Sequence, residues 1–312
     1  MDNIREIIAQ CQEKNPCAVD VRFDEPMSGH TTFKVGGPAD CWLQPREEGF
    51  PAFSAALLSS ARAAGVSVFI LGGGANIVVS DKGIRGIVLD TSAWKGSAAI
   101  KKGLSFRSGT SLDEAAESAA CAGLSGLEFL AGMPGTIGGA VFMNARCYGR
   151  EISDVLTSVE IIDYGVDGTP AQKRVAAGEG FDYKRSPFQG KEQLILSADF
   201  ALNPADVNDI RQEMEENRHD RQTRGHYLFP CAGSAFKNNH DFGKPTGRII
   251  DELGLRGLQS GGAQIAPFHG NIIINTGGAT AADIRALMNE VSSKVKAATG
   301  FVPEPEILFV GE

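Results

Sequence analysis

The sequence predicts an α+β fold that is divided among two or three domains. The chain has 312 residues, which is long for a single hydrophobic core. Apolar residues recur at helical spacing in several stretches, which predicts amphipathic helices. Short β-branched runs are mixed among these stretches along the chain, and such runs are typical of strands.

Helices and strands are predicted in turn through the first half of the chain. Apolar residues at helical spacing over residues 4–11 predict a short opening helix, and a second helix is predicted over residues 50–64. Strand-like runs at 66–71 and 86–90 lie on either side of a glycine-rich stretch. The sequence Ser111-Leu112-Asp113-Glu114 is a capping box, which predicts the start of another helix.

The second half contains the clearest break in the pattern. Two strand-like runs, at 158–164 and 193–200, precede it. Asn203-Pro204 then interrupts the pattern and begins a long charged helix that reaches about residue 224, so we place the main domain boundary near Leu202. The elements predicted beyond are a helix at 244–253, a strand at 271–275 and a helix beginning at 280 with one apolar face.

Composition excludes several classes of protein. The net charge of -8 argues against a nucleic-acid binder, which usually shows a basic surface. The polar N-terminal sequence is unlike a secretory signal, and no apolar run approaches the roughly 18 residues that a membrane span needs. The six cysteines show neither a CxxC pair nor metal-ligand spacing, which favours reduced thiols and no metal site. We therefore expect a cytoplasmic protein with no nucleic-acid or membrane partner.

A first glycine-rich loop, Leu71–Asn76, follows a predicted strand as the dinucleotide-binding fingerprint would. Gly72, Gly74 and Asp90 match that fingerprint superficially. The third glycine position holds Ile77, however, and the sequence continues as β structure instead of a helix. The pattern therefore disfavours a Rossmann domain, and the lack of GKS or GKT excludes a Walker A loop.

A second glycine-rich loop spans Gly132–Ala140. Glycines allow consecutive backbone N–H groups to approach an anion closely. Two such loops favour a cofactor that carries a pyrophosphate. Paired tight turns with no ligand remain an alternative at this point.

Five motifs together resemble one known family. In chain order they are His30–Gly37, Leu71–Asn76, Met133–Ala140, Gly233–Asn238 and Pro303–Glu306. Their order and spacing resemble the UDP-N-acetylenolpyruvoylglucosamine reductases, flavoenzymes that make UDP-N-acetylmuramate for bacterial cell walls. The resemblance covers nearly all of the chain from residue 29 to residue 311 and is closest to the compact subtype without an inserted tyrosine loop.

The resemblance implies a fold, a cofactor and a reaction. The implied fold is a two-subdomain FAD-binding domain of the vanillyl-alcohol-oxidase type followed by a C-terminal α+β substrate-binding domain. The implied cycle passes a hydride from NADPH to FAD N5 and then to C3 of UDP-N-acetylglucosamine enolpyruvate. The implied layout is a lead-in at 1–28, an FAD-binding domain at 29–202 split near 95, a substrate-binding domain at 203–302, and a segment at 303–312 that returns to the FAD domain.

The resemblance also implies the catalytic residues. Ser234 matches the serine that donates a proton to C2, and Lys237 and Asn238 could help to stabilise its oxyanion. Glu306 matches an acidic residue that orients or polarises the enolpyruvyl group. If this segment is a strand, Glu304 points to the opposite face, so only one of the two glutamates should matter.

One catalytic position departs from the family pattern. The family has tyrosine-arginine-x-serine, whereas this chain has Tyr183-Lys184-Arg185-Ser186, so Lys184 takes the arginine position. Lysine offers a compact charge where arginine offers a planar, two-pronged grip on a carboxylate. In extended structure a shift by one residue reverses the side chain, so we expect Lys184 and not Arg185 to keep the electrostatic role.

The remaining assignments concern ligand contacts. Tyr148 matches a tyrosine of the family's active cleft, and Arg146 stands where the family usually has glycine, either as an anion ligand or as a solvated surface residue. Substrate contacts are expected from Tyr148, Lys237 and Asn238. FAD contacts are expected from Gly72, Gly73, Gly74, Ala75, Asn76, Pro134, Gly135, Thr136, Gly138, Gly139 and Ala140.

Two alternative functions remain open from the sequence. One is an FAD-dependent oxidase of the same fold, although neither glycine-rich loop contains a histidine for covalent flavin attachment, which favours non-covalent FAD. The other is a non-catalytic nucleotide-binding relative that lost activity through Lys184. We expect the reductase acting on a UDP-sugar enolpyruvyl substrate, as a monomer or a weak homo-oligomer.

Overall fold

A computed structural model describes residues 2–46, 49–165 and 170–312. Contacts between Cα atoms group the chain into two compact units. Unit 1 comprises residues 1–25, 40–73 and 85–219, and unit 2 comprises residues 26–39, 74–84 and 220–312. None of the helices in the described ranges is both long enough and apolar enough to cross a membrane. The domain boundaries expected from the sequence stay predictions.

Helices and strands are mixed in both units, which confirms the α+β class. The α-helices are α1 Asp2–Lys14, α2 Phe50–Ala63, α3 Leu112–Cys121, α4 Ile137–Met143, α5 Val207–Thr223, α6 Thr246–Glu252 and α7 Ala281–Thr299. The strands are β1 Val19–Pro26, β2 Pro38–Pro45, β3 Val68–Leu71, β4 Ile77–Val79, β5 Ile84–Asp90, β6 Ser97–Ile100, β7 Gly103–Arg107, β8 Leu124–Ser125, β9 Arg146–Cys147, β10 Arg150–Glu151, β11 Leu156–Asp163, β12 Ala171–Ala176, β13 Gln193–Ala201, β14 Asn203–Pro204, β15 Cys231–Ser234, β16 Gln259–Ser260, β17 Ala263–Ile265, β18 Ile272–Asn275 and β19 Leu308–Val310.

Unit 1 contains two sheets with helices packed on them. A four-stranded sheet has the order β1-β2-β5-β3, in which β3 and β5 are parallel, and α1 and α2 share its hydrophobic core. A five-stranded antiparallel sheet has the order β12-β11-β13-β7-β6. Helices α3 and α4 bury their apolar faces against it in a second core. Helix α4 and the loop before it are therefore fixed by burial.

Unit 2 is built on an antiparallel sheet of the order β15-β18-β17-β16. The last helix, α7, buries Ile284, Leu287, Met288, Val291 and Val295 in the core of this unit, which confirms the apolar face expected from the sequence. Strands β4 and β19 pair in parallel elsewhere in the same unit.

The helices predicted from sequence signals are confirmed, with shifts that have local causes. The long charged helix begins at Val207 and not at Asn203-Pro204, because those two residues pair as β14 with β8. The Ser111 side chain accepts a hydrogen bond from Glu114 N, and the Glu114 carboxylate accepts one from Ser111 N, so the capping box forms as expected. The strand expected at 66–71 begins only at Val68. Gly65 has φ +65° and Val66 N donates to Ala61 O, so these residues end α2 instead of starting the strand.

Candidate active site

The first glycine-rich stretch, residues 72–76, offers an unusual set of hydrogen-bond donors. Across the described ranges, no protein acceptor takes a hydrogen bond from the backbone N–H groups of these five residues. Backbone N–H groups are obligatory donors, so a run of five needs water or a ligand. Consecutive N–H groups of this kind form concave sites for anions. The stretch therefore fits a pyrophosphate such as that of FAD.

The two glycine-rich loops approach each other too closely for side chains. A Cβ on Gly72 would lie 2.7 Å from Thr136 Oγ1, and one on Gly73 would lie 2.8 Å from Gly135 Cα. Real Cβ atoms do not come this close to backbone, so the contact requires glycine at position 73. The two loops are therefore packed directly against each other, which favours one built site over two unrelated tight turns.

The second loop uses its N–H groups differently. Thr136 caps α4 by accepting a hydrogen bond from Gly139 N at 3.5 Å. Ile137 N donates to Thr110 O and Gly138 N donates to Ser108 O. These bonds hold the second loop against its neighbours. Within the described ranges the N–H groups of Gly135 and Thr136 also have no protein acceptor, so the second loop adds donors to those of residues 72–76.

Asp90, which superficially matched the dinucleotide fingerprint, has a structural environment. Its carboxylate is buried and accepts hydrogen bonds from Trp42 Nε1 at 3.2 Å and from Ser92 N at 2.8 Å. The chain after the glycines enters strand β4 and not a helix. The prediction that this is not a Rossmann site is confirmed.

Ser234 ends strand β15, and a buried amide holds the residues that follow it. Asn271 O accepts from Ala235 N at 2.8 Å, Asn271 Oδ1 accepts from Phe236 N at 3.0 Å, and Asn271 Nδ2 donates to Phe236 O at 2.8 Å. Asn271 is only 4% exposed. Sequence reasoning missed this residue, because an asparagine before an apolar strand gives no signal of its partners.

Glu306 lies on a segment that runs beside the residues after Ser234. Glu306 N donates to Ala235 O at 2.9 Å, and Lys237 N donates to Glu304 O at 2.8 Å. The two glutamates differ in exposure, since Glu306 is buried whereas the side chain of Glu304 is 71% exposed. The alternation argument for this difference is wrong, because residues two apart on a strand share a face. The difference arises because 304–306 lies before strand β19 and is not a regular strand. Asn76 Nδ2 donates to Glu306 O at 3.0 Å, so Asn76 also positions this backbone.

The two expected substrate contacts after Ser234 have protein partners. Lys237 Nζ lies 2.6 Å from Glu304 Oε1, so the ammonium is already paired with a carboxylate. Asn238 Oδ1 accepts a hydrogen bond from Thr246 N at 2.9 Å, which satisfies a donor at the start of α6.

A pocket of about 390 Å³ in unit 2 includes the expected proton donor. Its polar lining includes Ser234, Asn238, Arg248, Asp251, His269 and Asn271. His269, to which the sequence assigned no role, lies in this lining, and its Nδ1 accepts a hydrogen bond from Asn271 N at 3.1 Å. The imidazole is therefore neutral with its proton on Nε2.

Electrostatics in and beside the pocket follow from burial and one ion pair. Burial lowers the pKa of His269 and lowers the pKa of His226 to about 4, and the two ring centroids are 6.1 Å apart. The hydrogen bond from Arg256 holds the pKa of Asp251 below its ordinary value. Both imidazoles are thus neutral near pH 7, and Asp251 is ionised.

Lys184 lies in a tight turn, which overturns one premise of the sequence argument. Asp182 N donates to Arg185 O and Arg185 N donates to Asp182 O, and Lys184 has φ +57°. The expectation that a one-residue shift reverses the side chain assumed extended backbone, and that assumption is wrong here. A left-handed lysine is uncommon and strained, so the surroundings fix this conformation.

Tyr148 lies in a second left-handed turn, between β9 and β10. Tyr148 has φ +51° and Gly149 has φ +77°, and the strands pair with Cys147 opposite Arg150. Positive φ at both central positions is typical of a type I′ hairpin. The Tyr148 hydroxyl donates to Asn217 O at 3.1 Å, and the side chain is exposed.

Arg146 contacts two side chains in unit 1. Its guanidinium carbon lies 5.5 Å from the ring centroid of Tyr183, and its Nη1 lies 3.9 Å from a Glu151 carboxylate oxygen. The side chain is 40% exposed.

The cysteines and potential metal ligands offer no further site. The six cysteines, all within the described ranges, form no disulfide, and burial raises the pKa of Cys231 and raises that of Cys41 to about 12. The described residues contain no cluster of three or more histidine, cysteine or carboxylate side chains that could hold a metal ion.

Comparisons with known proteins agree with this geometry. Residues 224–310 match the model of the UDP-N-acetylenolpyruvoylglucosamine reductase C-terminal domain, and residues 54–170 match that of an FAD-binding domain. The UDP-N-acetylenolpyruvoylglucosamine reductase of Treponema denticola is 40% identical over 306 residues, which is 94% of each chain. The chain belongs to the UDP-N-acetylenolpyruvoylglucosamine reductase family.

Other members support the same assignment. The UDP-N-acetylenolpyruvoylglucosamine reductase of Caldanaerobacter subterraneus is 35% identical, with 100% of this chain and 98% of the relative covered. The crystal structure of the Thermus caldophilus reductase superposes with a TM-score of 0.76 at 31% identity, covering 94% of this chain and 99% of that one. This member of the reductase family is an FAD-dependent oxidoreductase, and the predicted fold, an FAD-binding domain with the family's C-terminal domain, is confirmed.

Proposed function

We propose that this protein reduces UDP-N-acetylglucosamine enolpyruvate to UDP-N-acetylmuramate for peptidoglycan precursor synthesis, with NADPH as the electron donor. The observation that carries the proposal is that the segment of Glu306 is bound to the residue after Ser234 in unit 2. Ala235 O accepts a hydrogen bond from Glu306 N, and Asn271 binds both polar groups of Phe236. We carry the roles of both residues over from the resemblance of their motifs, and the relatives at 35–40% identity are named for this substrate.

The cofactor fits the glycine-rich stretch that has open donors. Residues 72–76 would hold the FAD pyrophosphate through backbone N–H groups, and residues 134–136 and 138–140 would support them from the second loop. Bound there, FAD would supply the hydride chemistry of the reaction, with NADPH as its reductant and C3 of the enolpyruvyl group as the acceptor. The remaining chemistry is the transfer of one proton and the stabilisation of negative charge.

Ser234 is assigned the proton transfer. Addition of hydride at C3 places the electron pair of the double bond at C2, and the Ser234 hydroxyl gives its proton to that carbon. Solvent then returns a proton to the serine oxygen. A serine hydroxyl is a weak acid, so the oxyanion that it leaves must be stabilised by nearby donors or cations. Lys237 and Asn238, three and four residues after Ser234, would supply them.

Glu306 and Lys184 are assigned the orientation of the substrate. Glu306 is buried, which limits its motion and holds it for the enolpyruvyl group. We assign Lys184 to bind the substrate carboxylate, as a point charge held in place by its strained turn. Tyr148, Lys237 and Asn238 are proposed to contact the rest of the nucleotide, which for Lys237 requires a change in its pairing with Glu304.

The proposal includes the wider assignments made from the sequence. The FAD-binding domain is assigned to residues 29–202, the substrate-binding domain to 203–302, and the returning segment to 303–312. A cytoplasmic location, where NADPH is available, and a monomeric or weakly oligomeric state belong to the same proposal.

An anaerobic titration followed in the visible flavin spectrum tests the proposal. NADPH should bleach the spectrum, and the enolpyruvyl nucleotide should restore it. Bleaching without recovery would move the assignment to another electron acceptor. Flavin that stays in the pellet after acid precipitation would favour an oxidase with covalent cofactor, and a protein that binds no flavin after attempted reconstitution would overturn the proposal.

A further inference from the structure

Two left-handed turns of unit 1 are fixed to one buried side chain. Asn144 is fully buried, its Nδ2 donates to Asp182 O at 3.0 Å, and its Oδ1 accepts from Ser153 N at 3.1 Å. The first bond holds the turn that contains Lys184. The second holds the chain just after strand β10, which belongs to the hairpin of Tyr148.

The hairpin has further anchors of its own. The Tyr148 hydroxyl donates to Asn217 O, and Arg150 Nη1 lies 3.8 Å from the buried carboxylate of Glu128. The Arg150 guanidinium also lies over the Phe129 ring, 5.5 Å from its centroid. The hairpin that carries Arg146 is therefore held in place by several contacts.

The contacts of Arg146 hold its guanidinium in place but do not occupy its N–H donors. The Glu151 oxygen is 3.9 Å away, which is beyond hydrogen-bonding distance. The Tyr183 ring contacts the guanidinium through the ring face, and the N–H donors of a guanidinium lie in its own plane. Those donors remain available to an anion, and 40% of the side chain is exposed to solvent.

We propose that Arg146 grips the carboxylate of the enolpyruvyl substrate, as a specificity residue that acts together with Lys184. Arg146 lies against Tyr183, the residue next to Lys184, so two cations are held at neighbouring places by the same buried Asn144. The planar guanidinium supplies the two-pronged recognition of a carboxylate that a lysine ammonium lacks. This inference rests on the proposed function, because it names the group of that substrate which Arg146 recognises.

The test compares two nucleotides that differ by the enolpyruvyl group. UDP-N-acetylglucosamine enolpyruvate and UDP-N-acetylglucosamine are titrated by calorimetry into the oxidised holoenzyme, wild type and Arg146→Ala. We expect Arg146→Ala to weaken binding of the enolpyruvyl nucleotide by roughly 10- to 100-fold, as loss of a charged hydrogen bond would. Binding of UDP-N-acetylglucosamine should change by less than about 2-fold, because it has no carboxylate.

Arg22→Ala is the matched control. Arg22 also lies over an aromatic ring, 5.2 Å from the Trp42 centroid, and pairs with Glu25 at 2.9 Å, so the variant removes the same kinds of contact elsewhere in unit 1. We expect it to leave both affinities unchanged. Arg146→Lys should recover part of the lost affinity and should show a raised KM with a nearly unchanged kcat, which also guards against a variant that fails to fold.

Two outcomes overturn the inference alone. Equal weakening of both nucleotides would assign Arg146 to the part of the ligand that they share, and unchanged binding of both would make it a surface residue that braces the hairpin. A wild-type protein that neither binds nor turns over the enolpyruvyl nucleotide would instead refute the proposed function, and the inference would fall with it.

Discussion

The backbone around Ser234 and the backbone around Lys184 hold their proposed catalytic side chains in different ways. Ser234 ends a strand, and the residues after it run beside 304–306 in extended conformation with Asn271 bound to both polar groups of Phe236. Lys184 sits at φ +57° in a turn closed by two hydrogen bonds between Asp182 and Arg185. The first side chain is placed by hydrogen bonds between neighbouring segments, and the second by a strained left-handed turn.

This difference determines how each region should respond to substitution. In the extended region the partners are specific buried polar atoms, so their loss lowers stability and activity together. In the turn, the backbone conformation itself is unfavourable for lysine, so a substitution that relieves it raises stability while it removes the functional group.

The largest expected effect is that of Ser234→Ala. Loss of a general acid typically lowers a rate by about 10²- to 10⁴-fold, so reoxidation of the reduced enzyme by the enolpyruvyl nucleotide should fall by at least about 100-fold. Reduction of the flavin by NADPH should keep its wild-type rate, because the hydroxyl takes no part in it. Anaerobic stopped-flow separates the two steps, and a variant blocked in both would contradict the role of Ser234.

Asn271→Ala tests the clamp on the same region. The substitution leaves the buried N–H and C=O of Phe236 without their partners, which should lower the free energy of unfolding by about 2–4 kcal/mol. Denaturant unfolding measures the loss, and turnover should fall with it because Phe236 follows Ser234 by two residues. Asn208→Ala, at an exposed position of α5, is the control and should change stability by less than about 0.5 kcal/mol. An unfolding midpoint of Asn271→Ala equal to that of the wild type would show that these hydrogen bonds of Asn271 do not stabilise the fold.

The same contrast explains what the sequence could and could not predict. Helices and strands followed from periodicity and capping residues. The different exposure of Glu304 and Glu306 did not follow from alternation, because residues two apart on a strand share a face and 304–306 is not a regular strand. The left-handed turns at Tyr148 and Lys184 could not be predicted from the sequence, because neither residue type favours positive φ and tertiary contacts impose it. Asn271 was missed because its partners lie 35 residues away.

Acid should lower the stability of the folded protein through the partly buried, neutral His226. The groups around His226 are Asp220, Arg221, Arg224 and His269, and burial lowers the pKa of His226 from 6.5 to about 4. The unfolded chain therefore binds a proton below about pH 6.5 that the folded chain refuses until about pH 4, so stability falls as pH falls through this window. His226→Gln should make the free energy of unfolding fall less steeply as pH decreases from about 6.5 to about 4, with the value at pH 7.5 as the reference. A pH dependence identical to that of the wild type would contradict the assignment.

The smallest expected effect is that of Lys184→Gly, and its sign is the informative part. Glycine accepts a left-handed conformation without the penalty of a side chain, so the free energy of unfolding should rise by roughly 1 kcal/mol while kcat/KM falls. Asp24→Gly, at φ +54° on strand β1, is the matched control and should give a similar gain in stability with unchanged turnover. Equal turnover in wild type and Lys184→Gly would remove Lys184 from the proposed site.

The hydrogen bond from Asn76 to Glu306 O joins residues that are 230 positions apart, and Leu308 N donates back to Asn76 O. During synthesis the glycine-rich stretch before Asn76 leaves the ribosome long before Glu306 does, since chains emerge from the N-terminal side. Strand β4 must therefore wait, with its edge unpaired, until β19 arrives to pair with it in parallel. The backbone around Glu306 is therefore completed only after β19 has been synthesised, and until then the edge of β4 that pairs with β19 stays exposed.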